Sequence, residues 1–242
     1  AERFDEMLMR LHTAWEQQRQ FVSDVSHELR TPLMIVSGYL QSVQRRGDNL
    51  SPPQREALAM ATSEADRTIQ LLQDLLTLAR IDNGQMQFQM EKVSLKAFVQ
   101  EVISLTEQYH DRAVVYEGTT DPVFVNVDVN RLKQVLLNLI DNAVKYSEPE
   151  QPVLLNLETK ENTALLAVSD YGIGIPFAQQ SRIFERFYRV DDARSRSTGG
   201  TGLGLSIVKT LVEGMDGKIT VTSQLGVGTT VTVSFPLVQG SD

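Results

Sequence analysis

Gln134-Val-Leu-Leu-Asn-Leu-Ile-Asp-Asn-Ala-Val-Lys-Tyr-Ser147 carries two readings at once. Leu136, Leu139, Ile140 and Ala143 recur at the spacing of a helix buried along one face. Asn138, Asn142 and Lys145, four and three apart, share another face. Asp128 supplies an N-cap, so the helix is expected to reach about Tyr146. On either side the period changes from helical to alternating. Val123 to Val127 precedes the helix, a hairpin of Val153 to Glu158 and Ala164 to Ser169 follows it, and the pair Lys218 to Ser223 and Thr229 to Phe235 ends the chain. Met86, Phe88 and Met90 alternate as a further short strand, and Ser94 can cap a helix through Tyr109. This irregular succession predicts one sheet covered by helices on one face.

The N-terminal third has no strand pattern. Phe4, Leu8, Leu11, Trp15, Val22, Val25, Leu29, Leu33, Val36, Leu40 and Val43 form a near-heptad seam, interrupted at Gln18, of one long amphipathic helix. Pro32 lacks a donor and its ring collides with the carbonyl of Glu28, which predicts a bend just beyond His27. Arg46-Gly-Asp-Asn-Leu-Ser-Pro-Pro-Gln54 is a turn that starts a second helix, with Ser51 as N-cap, Pro52 at N1 and Gln54 closing a capping box. Its seam runs through Leu58, Ala61, Ala65, Ile69, Leu72, Leu75 or Leu76, and Ala79, and Asn83-Gly84 stops it. An antiparallel hairpin cannot bury both seams alone, so two copies are expected to pair as a four-helix bundle in a homodimer.

Composition removes several classes. The net charge of −8 and pI near 5.0 repel a phosphate backbone, and no basic patch offsets this, which excludes nucleic acid as a partner. The absence of cysteine excludes disulfides, thiolate metal sites and a thiol nucleophile. No apolar run approaches the roughly 20 residues needed to span a bilayer.

Within the first helix, Phe21-Val-Ser-Asp-Val-Ser-His-Glu-Leu-Arg-Thr-Pro32 places an acid directly after His27 and a hydroxyl four residues on. Imidazole is largely uncharged near neutral pH and can act as a nucleophile. By itself it reads equally as an ordinary helix histidine, as His12 and His110 do. Four downstream segments suit a phosphate-bearing ligand, each weakly alone. The Asn138, Asn142 and Lys145 face offers amide oxygens to a hard cation. Ser169-Asp-Tyr-Gly-Ile-Gly-Ile-Pro176 lets backbone approach a ligand beside Asp170. Ile183-Phe-Glu-Arg-Phe-Tyr-Arg189 leads into the polar stretch Val190 to Thr198. Gly199-Gly-Thr-Gly-Leu-Gly-Leu-Ser206 opens a helix whose N-terminal amides face an anion. The last is no Rossmann fingerprint, because Leu205 stands where a glycine belongs, and no P-loop, because Val208 precedes Lys209-Thr210.

In this order the segments resemble the sensor histidine kinases of two-component signalling over nearly the whole chain. The His27 run resembles the H-box, Asn138 to Ser147 the N-box, Asp170 to Pro176 and Gly200 to Leu205 the two G-boxes, and Phe184 to Arg189 the F-box. The resemblance implies a signalling helix over residues 1–20, a dimerisation and histidine phosphotransfer domain over 21–84, and a catalytic domain over 85–238. The latter would be an α/β sandwich of the gyrase, Hsp90, histidine kinase and MutL type. It implies ATP and Mg²⁺ as ligands. Asp170 would bond the adenine amino group and Tyr146 pack on the ring. Asn142 with Asn138 would hold Mg²⁺. Lys145, Arg189 and the amides around Gly202 and Gly204 would neutralise phosphate. Gly172, Gly174, Ile175, Phe187, Thr201, Leu203 and Leu205 complete the nucleotide-binding positions. Tyr171, where the family often has Asn, and Gly214-Met-Asp-Gly217, where many members carry His-Gly-Gly, depart from the pattern.

The reaction so implied is autophosphorylation of His27, with Glu28 orienting and deprotonating the imidazole, and transfer to an aspartate of a response regulator receiver domain. Thr31, one turn beyond His27, would position water for dephosphorylating that regulator. Ala1 to Gln20 resembles a helix leaving a HAMP module. This implies a cytoplasmic location, with membrane attachment only through an upstream segment anchored in the inner or plasma membrane. Two other classes remain open on the residues alone, an ATP-driven conformational machine and a non-catalytic dimeric scaffold. Asn138, standing where related ATPases carry a water-activating Glu, argues against the first, and the intact nucleotide motifs against the second.

Overall fold

The computed structural model describes residue 29 and residues 31–47, 50–107, 112–190 and 200–238. The seam from Phe4 to Val25, His27 and Glu28 lie outside the described residues, and the bend expected at Pro32 falls at their edge. The chain divides into two compact units, Ala1–Met86 with Gly199–Thr201 and Gln87–Thr198 with Gly202–Asp242.

The first unit is helical. Helix α1 covers residues 31–46, and Leu50 N–H closes the turn onto Gly47 O at 3.2 Å. Helix α2, Pro52–Asp82, starts where Ser51 N–H donates to the Gln54 side chain at 2.9 Å. It stops where Gly84, at φ +62°, turns the chain back so that its N–H reaches Ile81 O. Ser37 on α1 is buried and donates to Asp66 on α2 at 2.6 Å, so a polar contact joins the two helices. Of the two leucines the α2 seam left open, Leu76 is buried and Leu75 exposed; the seam is corrected only at Ala61, which is exposed while Thr62 beside it is buried, as are Asp74 and Leu78. One partner helix covers one flank only, and Leu29, Val36 and Val43 keep 46%, 49% and 49% of their surface. Among the described residues no helix is long and apolar enough to cross a membrane.

The second unit contains β1 (Glu91–Ser94), α3 (Leu95–Thr106), β2 (Val114–Gly118), β3 (Phe124–Val127) and α4 (Val129–Tyr146). These are followed by β4 (Val153–Lys160), β5 (Thr163–Asp170), α5 (Phe177–Gln180), α6 (Gly204–Gly214), β6 (Lys218–Gln224) and β7 (Gly228–Pro236). A five-stranded sheet runs β2-β4-β5-β7-β6, with β2 parallel to β4 and the other pairs antiparallel. Val153, Leu155 and Leu157 of β4, Ala164, Leu166 and Val168 of β5, and Val231, Val233 and Phe235 of β7 are all buried. They alternate with less buried neighbours, so one sheet face is covered by α3, α4 and α6. Leu132, Leu136 and Ile140 of α4 are fully buried, each worth about 1.5–3 kcal/mol relative to exposure.

Three expectations are corrected, and one strand was not foreseen. Among the described residues there are two sheets, because β1 and β3 pair with each other and not with the main sheet. Met86, Phe88 and Met90 lie outside any strand or helix. Gln89 N–H instead donates to Asp128, and the Phe88 ring lies against Gly214, where an added Cβ would be 2.3 Å away. Helix α3 ends at Thr106, short of Tyr109, and the threonine hydroxyl bonds back to Ile103 O. Strand β2 goes unread in the sequence because its pairing partner lies across a parallel connection.

Candidate functional site

Helix α4 is fixed at both ends. At its start Asp128, 5% exposed, accepts from Arg131 N–H at 3.1 Å through one oxygen and from Gln89 N–H at 2.9 Å through the other. At its end Ser147 bridges to Gly172, and Ile173 N–H donates to Tyr146 O at 3.2 Å. The middle of the helix presents the expected amide pair, with Asn142 Nδ2 donating to Asn138 Oδ1 at 3.2 Å. This leaves the Asn142 carbonyl oxygen as an acceptor of the kind Mg²⁺ takes together with phosphate and water. Lys145 stands over the Tyr146 ring, 5.3 Å from its centroid, and Tyr146 is 37% exposed.

Asp170 closes β5 beside this helix end. Its Oδ1 accepts from Gly172 N–H at 2.8 Å and from Thr229 N–H at 3.3 Å, so both bonds fall on one oxygen and Oδ2 is left to a ligand. Burial pushes its carboxyl above the ordinary value, and the two amide bonds work against that shift. Gly172 has no room for a side chain, since a Cβ would lie 2.1 Å from Tyr146 O. Gly174, at φ +68°, is pressed equally hard against Gln224 O, and Ile175 N–H is held by Ser223 Oγ at 2.8 Å. The loop is therefore clamped between α4 and the β6–β7 hairpin.

Helix α6 begins against the amide pair, where a Cβ on Gly204 would sit 2.8 Å from both terminal atoms of Asn138. Leu203, fully buried, is its N-cap and supplies no side-chain acceptor, so the first-turn amides of Gly204, Leu205 and Ser206 have no capping partner from it. Ser206 Oγ bonds Leu203 O at 2.7 Å, and Gly202 O accepts from Phe187 N–H at 2.9 Å. Phe187, at φ +61° and 61% exposed, leads to Arg189, a half-buried residue with an interaction of its own. Uncapped amides, glycines and dipole at this helix start suit an anion, and the second carboxylate oxygen of Asp170 suits an amino group. The residues present therefore fit a nucleotide with a hard cation.

The structure thus brings Asn138, Asn142, Lys145, Tyr146, Asp170, Gly172, Gly174, Ile175, Phe187, Gly202, Leu203, Gly204 and Leu205 into one unit, on adjoining elements. Thr201 groups with the helical unit, where its hydroxyl donates to Asp74 at 3.1 Å. Thr31 lies on α1, exposed and with a partner, whereas His27 and Glu28 are outside the described residues. Residues that the sequence did not single out hold the loop: Ser223, Thr229, and Gln180, whose amide donates to Ile175 O and Ser223 O. Their signal is long-range, because Thr229 meets Asp170 across 59 positions. Gly228 alone has a local cue, a glycine two after Gly226, and a Cβ there would sit 2.0 Å from Asp170 O.

Comparison with known proteins agrees in both halves. Residues 17–84 match the model of the His Kinase A (phospho-acceptor) domain, and residues 127–239 that of the histidine kinase-, DNA gyrase B- and HSP90-like ATPase. The sensor protein kinase WalK of Staphylococcus haemolyticus is 38% identical over 93% of this chain and 39% of its own length. The signal transduction histidine-protein kinase ArlS of Staphylococcus aureus is 36% identical over 97% of this chain and 52% of its own. The chain thus spans about half, or less, of the curated relatives it matches. Among solved structures, full-length ShkA in complex with AMPPNP aligns over 92% of this chain and 47% of its own, with a TM-score of 0.72 and 27% identity. With both family models matched in sequence order and the nucleotide-type cradle built on the second, the chain belongs to the two-component sensor histidine kinases, whose phosphoacceptor and ATP-binding core it comprises.

Proposed function

We propose that this chain catalyses ATP-dependent phosphorylation of its own His27 and passes the phosphoryl group to an aspartate on a response regulator receiver domain. The observation that carries the reading is that the Asp170 loop is tied to the end of the helix bearing the Asn138–Asn142 pair, and that the uncapped start of α6 lies against that pair. Asp170 Oδ2 accepts from the adenine amino group, and Tyr146 covers the ring. The α6 amides, Lys145 and Arg189 draw charge from the phosphate oxygens as the terminal group leaves. Asn142 and Asn138 hold Mg²⁺, which when bound screens the triphosphate. At the acceptor a ring nitrogen of His27 forms the new P–N bond while the bond to the β-phosphate oxygen breaks and ADP departs. Glu28 takes the proton from the other ring nitrogen. Asn138 cannot deprotonate water, which disfavours hydrolysis at the same site. Thr31 directs water onto the phosphoaspartate of the regulator in an opposing phosphatase activity, breaking the acyl phosphate bond and releasing inorganic phosphate.

The half-exposed Leu29, Val36 and Val43 support pairing of two copies, since together they leave one seam of the hairpin uncovered. The family resemblance supports action on the cytoplasmic side of a membrane, reached through an upstream segment. The test is incubation with γ-labelled ATP and Mg²⁺, comparing the parent chain with His27→Gln and Asn142→Ala. Acid-labile, base-stable label absent from both variants is expected. Label persisting in His27→Gln moves the acceptor elsewhere, and phosphate release without labelled protein favours a plain ATPase.

A further inference from the structure

Arg112 lies two residues before β2, outside every motif. Its strand is anchored to the sheet through Val153 N–H, which donates to Ala113 O at 3.0 Å. From that fixed point the guanidinium reaches the far end of α4. It donates to Val144 O at 3.3 Å, to Ser147 O at 3.4 Å and to Ser147 Oγ. The serine hydroxyl in turn donates to Ala143 O at 2.6 Å. Two of the carbonyls that a helix end leaves without partners, those of Ala143 and Val144, are thereby satisfied, and a cation sits at the negative end of the helix dipole.

The same turn holds the Asp170 loop. Tyr146 O accepts from Ile173 N–H, Ser147 bridges to Gly172, and Gly172 N–H fixes Asp170 Oδ1. Contacts from Arg112 to Asp170 therefore form one short chain, made of backbone apart from the two end groups and Ser147. We propose that Arg112 is a positioning residue for nucleotide recognition: by clamping the last turn of α4 to the sheet edge, it sets the register of Tyr146 and the Asp170 loop against an adenine base. This rests on the ATP reading of the site. Arg112 touches no nucleotide. A planar fork can serve carbonyl and hydroxyl together, which a lysine ammonium does only in part.

The proposal predicts a loss in base recognition and none in phosphoryl transfer. Binding of ATP, ADP and GTP to the 242-residue chain is measured by calorimetry for the parent, Arg112→Met, Arg112→Lys and Ser147→Ala, together with the labelling rate at saturating ATP. Arg112→Met is expected to weaken ATP and ADP by the same factor, about tenfold, or about 1.4 kcal/mol. It should narrow the preference for ATP over GTP and leave the saturated rate near that of the parent. Arg112→Lys recovers part of the affinity, and Ser147→Ala, which keeps the arginine, shows a smaller loss of the same kind even where Arg112→Met does not fold. Parent-like affinity and preference in folded Arg112→Met, or a fallen saturated rate with unchanged affinity, overturns the proposal. Failure of the parent itself to bind adenine nucleotides removes the ATP reading, and this proposal with it.

Discussion

Replacing Gly172 with alanine tests the coupling between α4 and the Asp170 loop most directly. The new Cβ would lie 2.1 Å from Tyr146 O, 2.7 Å from Tyr146 C and 2.8 Å from Asp170 Oδ1. Two of these are backbone atoms at a helix end, so no rotamer change relieves the overlap, and the loop must move by about 1 Å to regain ordinary contact. That movement breaks the Ile173 N–H to Tyr146 O bond and the Gly172 N–H to Asp170 Oδ1 bond. A neutral bond contributes about 1 kcal/mol and one to a charged acceptor about 1.5–3 kcal/mol, so full loss costs roughly 2.5–4 kcal/mol. Even the neutral share, if expressed in the nucleotide-competent state, weakens ATP by about fivefold, and the sum by about a hundredfold or more. Calorimetric titration of ATP, with far-UV circular dichroism to verify folding, reads the effect. Gly172→Ala that is folded and binds ATP within about twofold of the parent would show that the loop is not held by this approach.

The same logic separates the two duties of Asp128. Asp128→Asn keeps an oxygen for Arg131 N–H while its amide cannot accept from Gln89 N–H, whereas Asp128→Ala loses both. The alanine variant is expected to lose roughly 2–4 kcal/mol in urea unfolding and the asparagine variant about half of that, and equal losses would refute the division. The raised Asp170 carboxyl predicts a pH effect whose sign follows from burial. Between the ordinary carboxyl value of 3.8 and the higher folded value, the folded state binds more protons, so ionising Asp170 costs stability as pH rises through that window. Ligand binding runs the other way, since the ionised oxygen accepts the amino group best. Adenosine affinity should therefore fall on acidification beginning at a higher pH than for an ordinary carboxyl, and Asp170→Asn should abolish that dependence. An identical pH profile in Asp170→Asn would sever the link between this carboxylate and the base.

What the sequence disclosed and what it withheld divide along the range of the interactions involved. Asp128, the span of α4, the start and stop of α2 and both hairpins were legible because caps, turns and periodicities are written within a few residues of where they act. The segment from Met86 to Met90 misled for the same reason. Alternation does not by itself give a ladder, which depends on a partner strand; here Gln89 N–H is taken by Asp128 and the Phe88 ring lies against Gly214. Strand β2 and the polar Ser37–Asp66 contact were invisible, because neither a parallel neighbour nor a cross-helix hydrogen bond leaves a local pattern. The candidate site shows the same split at finer scale. Asn138, Asn142, Asp170 and the glycines are marked by the company they keep in sequence. Arg112, Ser223 and Thr229, which hold those groups in place, come from strands or turns tens of residues away. A motif thus names the atoms that meet a ligand, while the rigidity that makes those atoms selective resides in residues with no motif. Substitutions at the latter should change affinity and base preference while every motif remains intact, and Arg112→Met is the sharpest instance.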